Sequence, residues 1–236
     1  MIRFIHAADF QIGKPYNWAS DRAQRTLRER RETSIERVGE VADENDAQFI
    51  VVAGDFFDAN TVGDDVITRA CKRLSSIDVP VYILPGNHDF AAGPACVYQR
   101  STFERHQPDQ VTVLDDEVPE IVAGGEAVLL PAPIRRRNEL GDPTSHYASD
   151  FGKDKAPDAV RISVAHEDLI DDLENTVLEL RRRGDGVRPK ASPDEIDAIS
   201  TDGYVRTAVE RLRGKAEEGE EAAEEALQLL YQLKQE

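Results

Sequence analysis

Phe49-Ile50-Val51-Val52-Ala53-Gly54-Asp55-Phe56-Phe57-Asp58 decides the fold. Five apolar, β-rich residues run without polar interruption, and a glycine and two aspartates follow. A strand apolar at every position is buried on both faces, the habit of a mostly parallel α/β sheet. Two further apolar runs, Ile2 to Ile5 and Val79 to Leu84, are read the same way. The first leads into His6-Ala7-Ala8-Asp9-Phe10-Gln11, the other into Pro85-Gly86-Asn87-His88-Asp89. Helices are expected between them: one from about Asp21 to Asn45, with Leu27, Ile35, Val38 and Val41 toward the sheet, another from Asp64 to Ser76. Ligands of such sheets collect beyond the carboxyl ends of the strands. Asp9, Asp55, Asn87 and His88 all fall at those ends, so oxygen and nitrogen donors far apart in sequence converge on one crevice in a metal-site geometry. The plain alternative is loop capping, since Asp and Asn are common at strand ends. Three such motifs in order, each after a strand, argue against it.

Downstream, Thr112-Val113-Leu114 and Ile121-Val122-Ala123 bracket an acidic turn, and Ala127 to Leu130 and Ala159 to Ala165 are expected strands. A polar stretch that includes Asn138 to Pro157 joins the last two. His166 follows the apolar run that ends at Ala165. Past it the pattern becomes helical. Leu169 to Arg183 is a charged helix closed by Gly184-Asp185-Gly186. Ser192-Pro193-Asp194-Glu195 opens another with capping-box chemistry. Tyr204 to Leu212 and Ala222 to Leu233 complete a tail whose end is apolar enough to dock on a partner or on the body of the protein. The expected division is 1–168 and a helical 169–236.

A length of 236 residues with 40% hydrophobic content gives ample material for a core. No segment approaches a membrane span, and the N-terminus enters the first strand at once, which points to the cytoplasm and no membrane contact. Cys71 and Cys96 do not make a disulfide framework, and neither has the setting of a nucleophile. The formal charge of −17, from 46 acidic against 29 basic residues, is unusual for a protein that approaches nucleic acid. An acidic, lysine-poor surface suits high salt, so a halophilic source is expected. Arg135-Arg136-Arg137 and Arg181-Arg182-Arg183 are candidate phosphate contacts, with solvated charged surface as the bland reading. His6 is expected to be packed or hydrogen-bonded, His106 and His146 to face solvent.

Taken together, the Asp9 motif, Gly-Asp-x-x-Asp at Gly54 to Asp58, Gly-Asn-His-Asp at Gly86 to Asp89 and the isolated His166 resemble the calcineurin-like metallophosphoesterase family. The phrasing from His6 to Gly13 looks most like its DNA-repair exonuclease branch, the SbcD-like nucleases. The resemblance implies a two-sheet α/β sandwich flanked by helices, with the expected strands from Thr112 to Ala165 in its second sheet, and two divalent ions, with manganese the first choice and iron or zinc as others. It further implies that Asp55 bridges the ions, that Asp9 and Gln11 stand on the first, and that Asn87 and His166 stand on the second. His88 would face the scissile phosphate, with Asp89 orienting its ring. DNA is the implied substrate, with a coiled-coil ATPase or a second copy of the chain as partner. Two departures weigh against full activity. Gln11 stands where the family pattern has His, and no histidine follows His166, so the final Gly-His-x-His is missing. The sequence thus fits a shortened member of reduced activity, or a silent homologue that acts through its tail. A phosphatase for small phosphate esters is a third reading.

Overall fold

Four strands lie side by side in one parallel sheet: β1 (Phe4–Ala7), β2 (Phe49–Ala53), β3 (Val81–Leu84) and β4 (Val111–Val113), in that order. The computed structural model describes residues 1–93, 96–136, 143–144, 146–147 and 151–166, and in the C-terminal part 209, 212–213, 215, 223 and 225–228. The expected helices and turns from 169 to 208 lie outside the described residues. The chain divides into two compact units, Met1–Glu167 and Asp168–Glu236. In the second unit the described residues are helical, and Val209, Leu212, Ala223, Ala226 and Leu227 are buried.

Every residue of β2 and β3 is buried, as uninterrupted apolar runs require. β1 departs from the expectation. It begins at Phe4, two residues late, and its residues alternate between exposed and half-buried because the strand occupies the sheet edge. For the same reason His6 is exposed rather than packed. Val111–Val113 also differs, since it pairs in parallel with β3 and joins the first sheet. The second sheet holds β5 (Glu120–Val122), β6 (Ala127–Ala132) and β7 (Val160–Ala165), with β5 antiparallel and β7 parallel to β6. Phe49, Val51, Tyr82 and Leu84 of the first sheet pack against Val122, Ala127, Leu129 and Val164 of the second, which makes the two-sheet core.

The opposite face of the first sheet is covered by α1 (Asp21–Glu44) and α2 (Asp64–Leu74), which bury Ile35, Ala42, Ile67, Ala70, Cys71 and Leu74. Acidic residues in both first turns, Asp21 and Asp64-Asp65, favour these helix starts. Glu32, at 5% exposure, is the one buried charge of α1. It receives Arg69 and lies 3.8 Å from Arg73, and Arg73 also pairs with Glu29 and Glu36, so the two helices are laced by ions as well as by apolar contact. Beneath the loops at the sheet's carboxyl end, Phe56, Phe57, Tyr98 and Phe103 meet edge-on or tilted, with ring centroids 4.8 to 6.2 Å apart. Full burial of a phenylalanine contributes about 2–3 kcal/mol, so this cluster is a firm floor for what stands above it.

Candidate metal centre

Past the strand ends, the loops after β1 and β2 stay zipped together. Asp9 N–H donates to the Gly54 carbonyl (3.2 Å), Gln11 N–H to Asp55 (2.8 Å), Ile12 N–H to Phe56 (2.8 Å), and Asp58 N–H returns to Ile12 (3.0 Å). Asp9 is thereby carried to Asp55. Asp9, Gln11 and Asp55 all hold positive φ, at 57°, 43° and 55°. Such conformations cost non-glycine residues about 1–2 kcal/mol each, and where they gather they mark strain held at a working site.

The third loop is fixed by Asp89, which is fully buried. Its carboxylate accepts from Gly86 N–H (2.8 Å), Phe57 N–H (2.9 Å) and the Tyr98 hydroxyl. Burial pushes this carboxyl above the usual carboxylate range, opposed by those same three hydrogen bonds. Burial and the adjacent Asp89 hold Tyr98 well above an ordinary phenol. The expected orientation of the His88 ring by Asp89 is therefore corrected. The ring is held by the Asp58 carbonyl, 2.7 Å from Nδ1, and Asp89 is spent on tying two loops together. Asp58 thus acts here through its backbone carbonyl.

His166 arrives from the end of β7. Its Nδ1 lies 2.9 Å from the Ala53 carbonyl, so Nδ1 carries a proton there and Nε2 is the atom whose lone pair the neutral ring offers to a metal. That Nε2 stands 3.2 Å from Asn87 Oδ1 and 3.5 Å from Asp55 Oδ1. Ligand atoms of Asp9, Asp55 and His166 all lie within 4.8 Å of one another. Two carboxylates, an amide oxygen and an imidazole nitrogen facing one another suit a divalent ion with mixed oxygen and nitrogen ligands. The backbone makes room for it. A Cβ on Gly54, at φ +89°, would fall 2.1 Å from His166 Cγ, and one on Gly86 would fall 2.2 Å from Asp55 Oδ1. Only glycine at both positions lets imidazole and carboxylate come this near.

His88 lies beside the cluster, with Nε2 3.8 Å from Asp55 Oδ2, while its own N–H donates to Asp55 Oδ1 at 3.0 Å. Gln11 is close in backbone, but its side-chain oxygen accepts from Lys14 Nζ and is engaged there. Lys14, Tyr98 and Ala53 were missed in the sequence, because a backbone carbonyl, a loop lysine and a tyrosine downstream carry no local signal of the site. Arg135 and Arg136 are exposed, and Arg135 lies 3.4 Å from Glu117; Arg137 lies outside the described residues, as do Arg181 to Arg183. His106 is exposed as expected, with Nδ1 against the Thr102 carbonyl. His146 is not: it is half-buried, within reach of the Pro131 carbonyl and edge-on to Tyr147 and Phe151. Cys71 is buried with its thiol pushed up to about 11, which rules it out as a nucleophile at neutral pH.

Comparison with known proteins adds two findings. A family model described as calcineurin-like phosphoesterase matches residues 2–186. A UDP-2,3-diacylglucosamine hydrolase of Pseudomonas entomophila is 36% identical over 92 residues, which cover 36% of this chain and 33% of that one. The chain thus spans about a third of the length of the curated relative it matches.

Proposed function

Because this chain belongs to the calcineurin-like phosphoesterase family, we propose that it hydrolyses a phosphodiester bond with the help of divalent metal held by Asp9, Asp55, Asn87 and His166. The observation that supports this best is the meeting of Asp9, Asp55 and His166 ligand atoms within 4.8 Å at the carboxyl end of a parallel sheet. Metal bound there supplies Lewis acidity toward the phosphoryl oxygens and the attacking water, and manganese suits the donor set. The chain's own residues do the rest. Asp55 is buried and fixed by the His88 N–H, so its carboxylate is pre-oriented without reorganisation during the reaction. The Ala53 carbonyl keeps His166 in the tautomer that can ligate. His88, with its ring held at Nδ1 by Asp58, presents Nε2 toward the crevice, where the doubly protonated ring can pass its Nε2 proton to the leaving oxygen.

Within this reading the substrate is DNA, taken as an exonuclease takes it, with a coiled-coil ATPase or a second copy as partner. The motif phrasing from His6 to Gly13 supports that branch, and the net charge of −17 weighs against it. The named substrate of the Pseudomonas relative favours a nucleoside-diphosphate compound instead. A catalytically silent fold is favoured by a different observation, the capture of Gln11 by Lys14 together with the missing Gly-His-x-His.

The test is manganese-dependent hydrolysis of bis(p-nitrophenyl) phosphate and of labelled DNA, at low and at molar salt, with Asp55→Ala alongside. Turnover that vanishes in Asp55→Ala is the expected result. Turnover that survives the substitution sinks the proposed site, and no turnover under any metal or salt leaves the silent fold.

A further inference from the structure

Asp9 lines two spaces. One is the crevice it shares with Asp55 and His166; the other is an open groove of about 510 Å³ between the loop after β1 and α1, walled by Tyr16, Leu27, Arg30 and Arg31. We propose that this groove holds a second phosphate of the substrate, adjoining the one that is hydrolysed, on Arg30 and Arg31. The inference rests on the phosphoesterase reading above.

Charge is the first ground. Arg69, Arg73 and Arg100 each meet a carboxylate: Arg69 meets Glu32 and Asp65, Arg73 meets Glu29 and Glu36, and Arg100 meets Asp64. The groove arginines do not. Arg31, half-buried, donates to the Phe10 carbonyl at 2.7 Å and to the Tyr16 hydroxyl, and its guanidinium carbon lies 5.7 Å from the centre of the Tyr16 ring. Those partners are neutral and leave the charge uncompensated. Arg30 is exposed and makes no ion pair among the described residues. Both guanidinium charges are thus free to meet an anionic ligand. A guanidinium fork matches two phosphate oxygens at once.

Size is the second ground. Small-ligand sites run to about 300–1,000 Å³, and the groove falls inside that range. A lone scissile phosphate at the metal centre leaves it unused. A substrate with a second phosphate reaches both, and Tyr16 and Leu27 meet the organic part between or beyond. The second phosphate has two sources, the next linkage of a polynucleotide or the other half of a nucleoside-diphosphate compound.

Trp18 provides a probe that needs no turnover. It is the sole tryptophan, 82% exposed, with its ring 6.4 Å from that of Tyr16. Its fluorescence is titrated with calcium in place of manganese at the metal centre, using 5′-phosphorylated dithymidine, UDP-glucose and dimethyl phosphate. Saturable change with a two-phosphate ligand and none with dimethyl phosphate is expected, and whichever binds identifies the source. Arg30→Ala should weaken that binding about tenfold, and Arg30→Lys should restore part of it. If hydrolysis is found, Arg30→Ala should raise KM for the two-phosphate substrate with little change in kcat. A flat titration, or one indifferent to Arg30, overturns the groove even where hydrolysis proceeds. A saturable, Arg30-dependent titration without any hydrolysis keeps the groove and removes the phosphoesterase reading.

Discussion

At the scale of single residues, the crevice depends on atoms that are absent as much as on those present. Gly54→Ala would put a methyl 2.1 Å from His166 Cγ at a backbone angle that alanine resists. His166 must then leave its place beside Asp55. The expected outcome is loss of manganese binding by calorimetry, with a stability cost of about 1–3 kcal/mol; unchanged affinity would mean that the imidazole does not serve the metal. Asp89→Asn tests the loop tie separately. An amide supplies one acceptor and a donor where three donors now converge, so urea unfolding should register a loss of about 2–3 kcal/mol. Gln11→His would put an imidazole where Lys14 now takes the amide oxygen, and should tighten manganese binding; unaltered affinity would show that this position does not touch the first ion. The positions of Asp9, Asp55, Asn87, His88 and His166 were all legible in the sequence, since strand ends fix where a residue stands. What was not legible was which atom each one meets. Asp89 beside His88 looked like its orienting partner, yet the backbone turns it inward to Gly86 and Tyr98.

At the scale of elements, β2 and β3 were legible to within two residues because a buried parallel strand is apolar throughout. The same pattern misjudged β1, because edge or centre depends on strand order, and order is not a local property. β4 was displaced between sheets for the same reason. Helices α1 and α2 were legible in their apolar spacing, but the bond between Glu32 and the arginines of α2 was not. Glu32→Ala should cost about 1–2 kcal/mol in thermal or urea unfolding, since it removes a buried partner of Arg69, while Arg69 keeps Asp65 and Arg73 keeps Glu29 and Glu36. Cys71, on the buried face of α2, gives a pH test. Its thiol titrates at about 11 in the fold against about 8.5 in an open chain. Between those values the unfolded chain has shed a proton that the folded one keeps, so this contribution is complete below the lower value and is lost as pH rises. The fall in stability from pH 8.5 to 10.5 should be shallower in Cys71→Ala than in the parent. Equal slopes would mean that the buried thiol does not resist ionisation.

Over the whole molecule, 46 acidic residues against 29 basic ones set a repulsion that no single pair relieves. Arg37 of α1 and Arg69 and Arg73 of α2 neutralise some of it locally, whereas Arg30 and Arg31 meet no carboxylate among the described residues. Salt therefore acts on this protein in two opposed ways. Screening lengths shrink from about 10 Å at 0.1 M to about 3 Å at 1 M, which mutes repulsion between surface carboxylates and also weakens the hold of Arg30 on a phosphate. The first effect acts on the fold and the second on binding, so they separate in experiment. The midpoint of thermal unfolding should climb between 0.1 M and 2 M potassium chloride, while the Trp18 titration with a two-phosphate ligand should weaken over the same range. Potassium chloride is the fitting salt, because sulfate strengthens apolar burial by a separate route and would raise the midpoint of an uncharged protein as well. A midpoint that stays level or drops in chloride would show that surface repulsion does not limit the stability of this fold, and the high-salt reading of its composition would go with it.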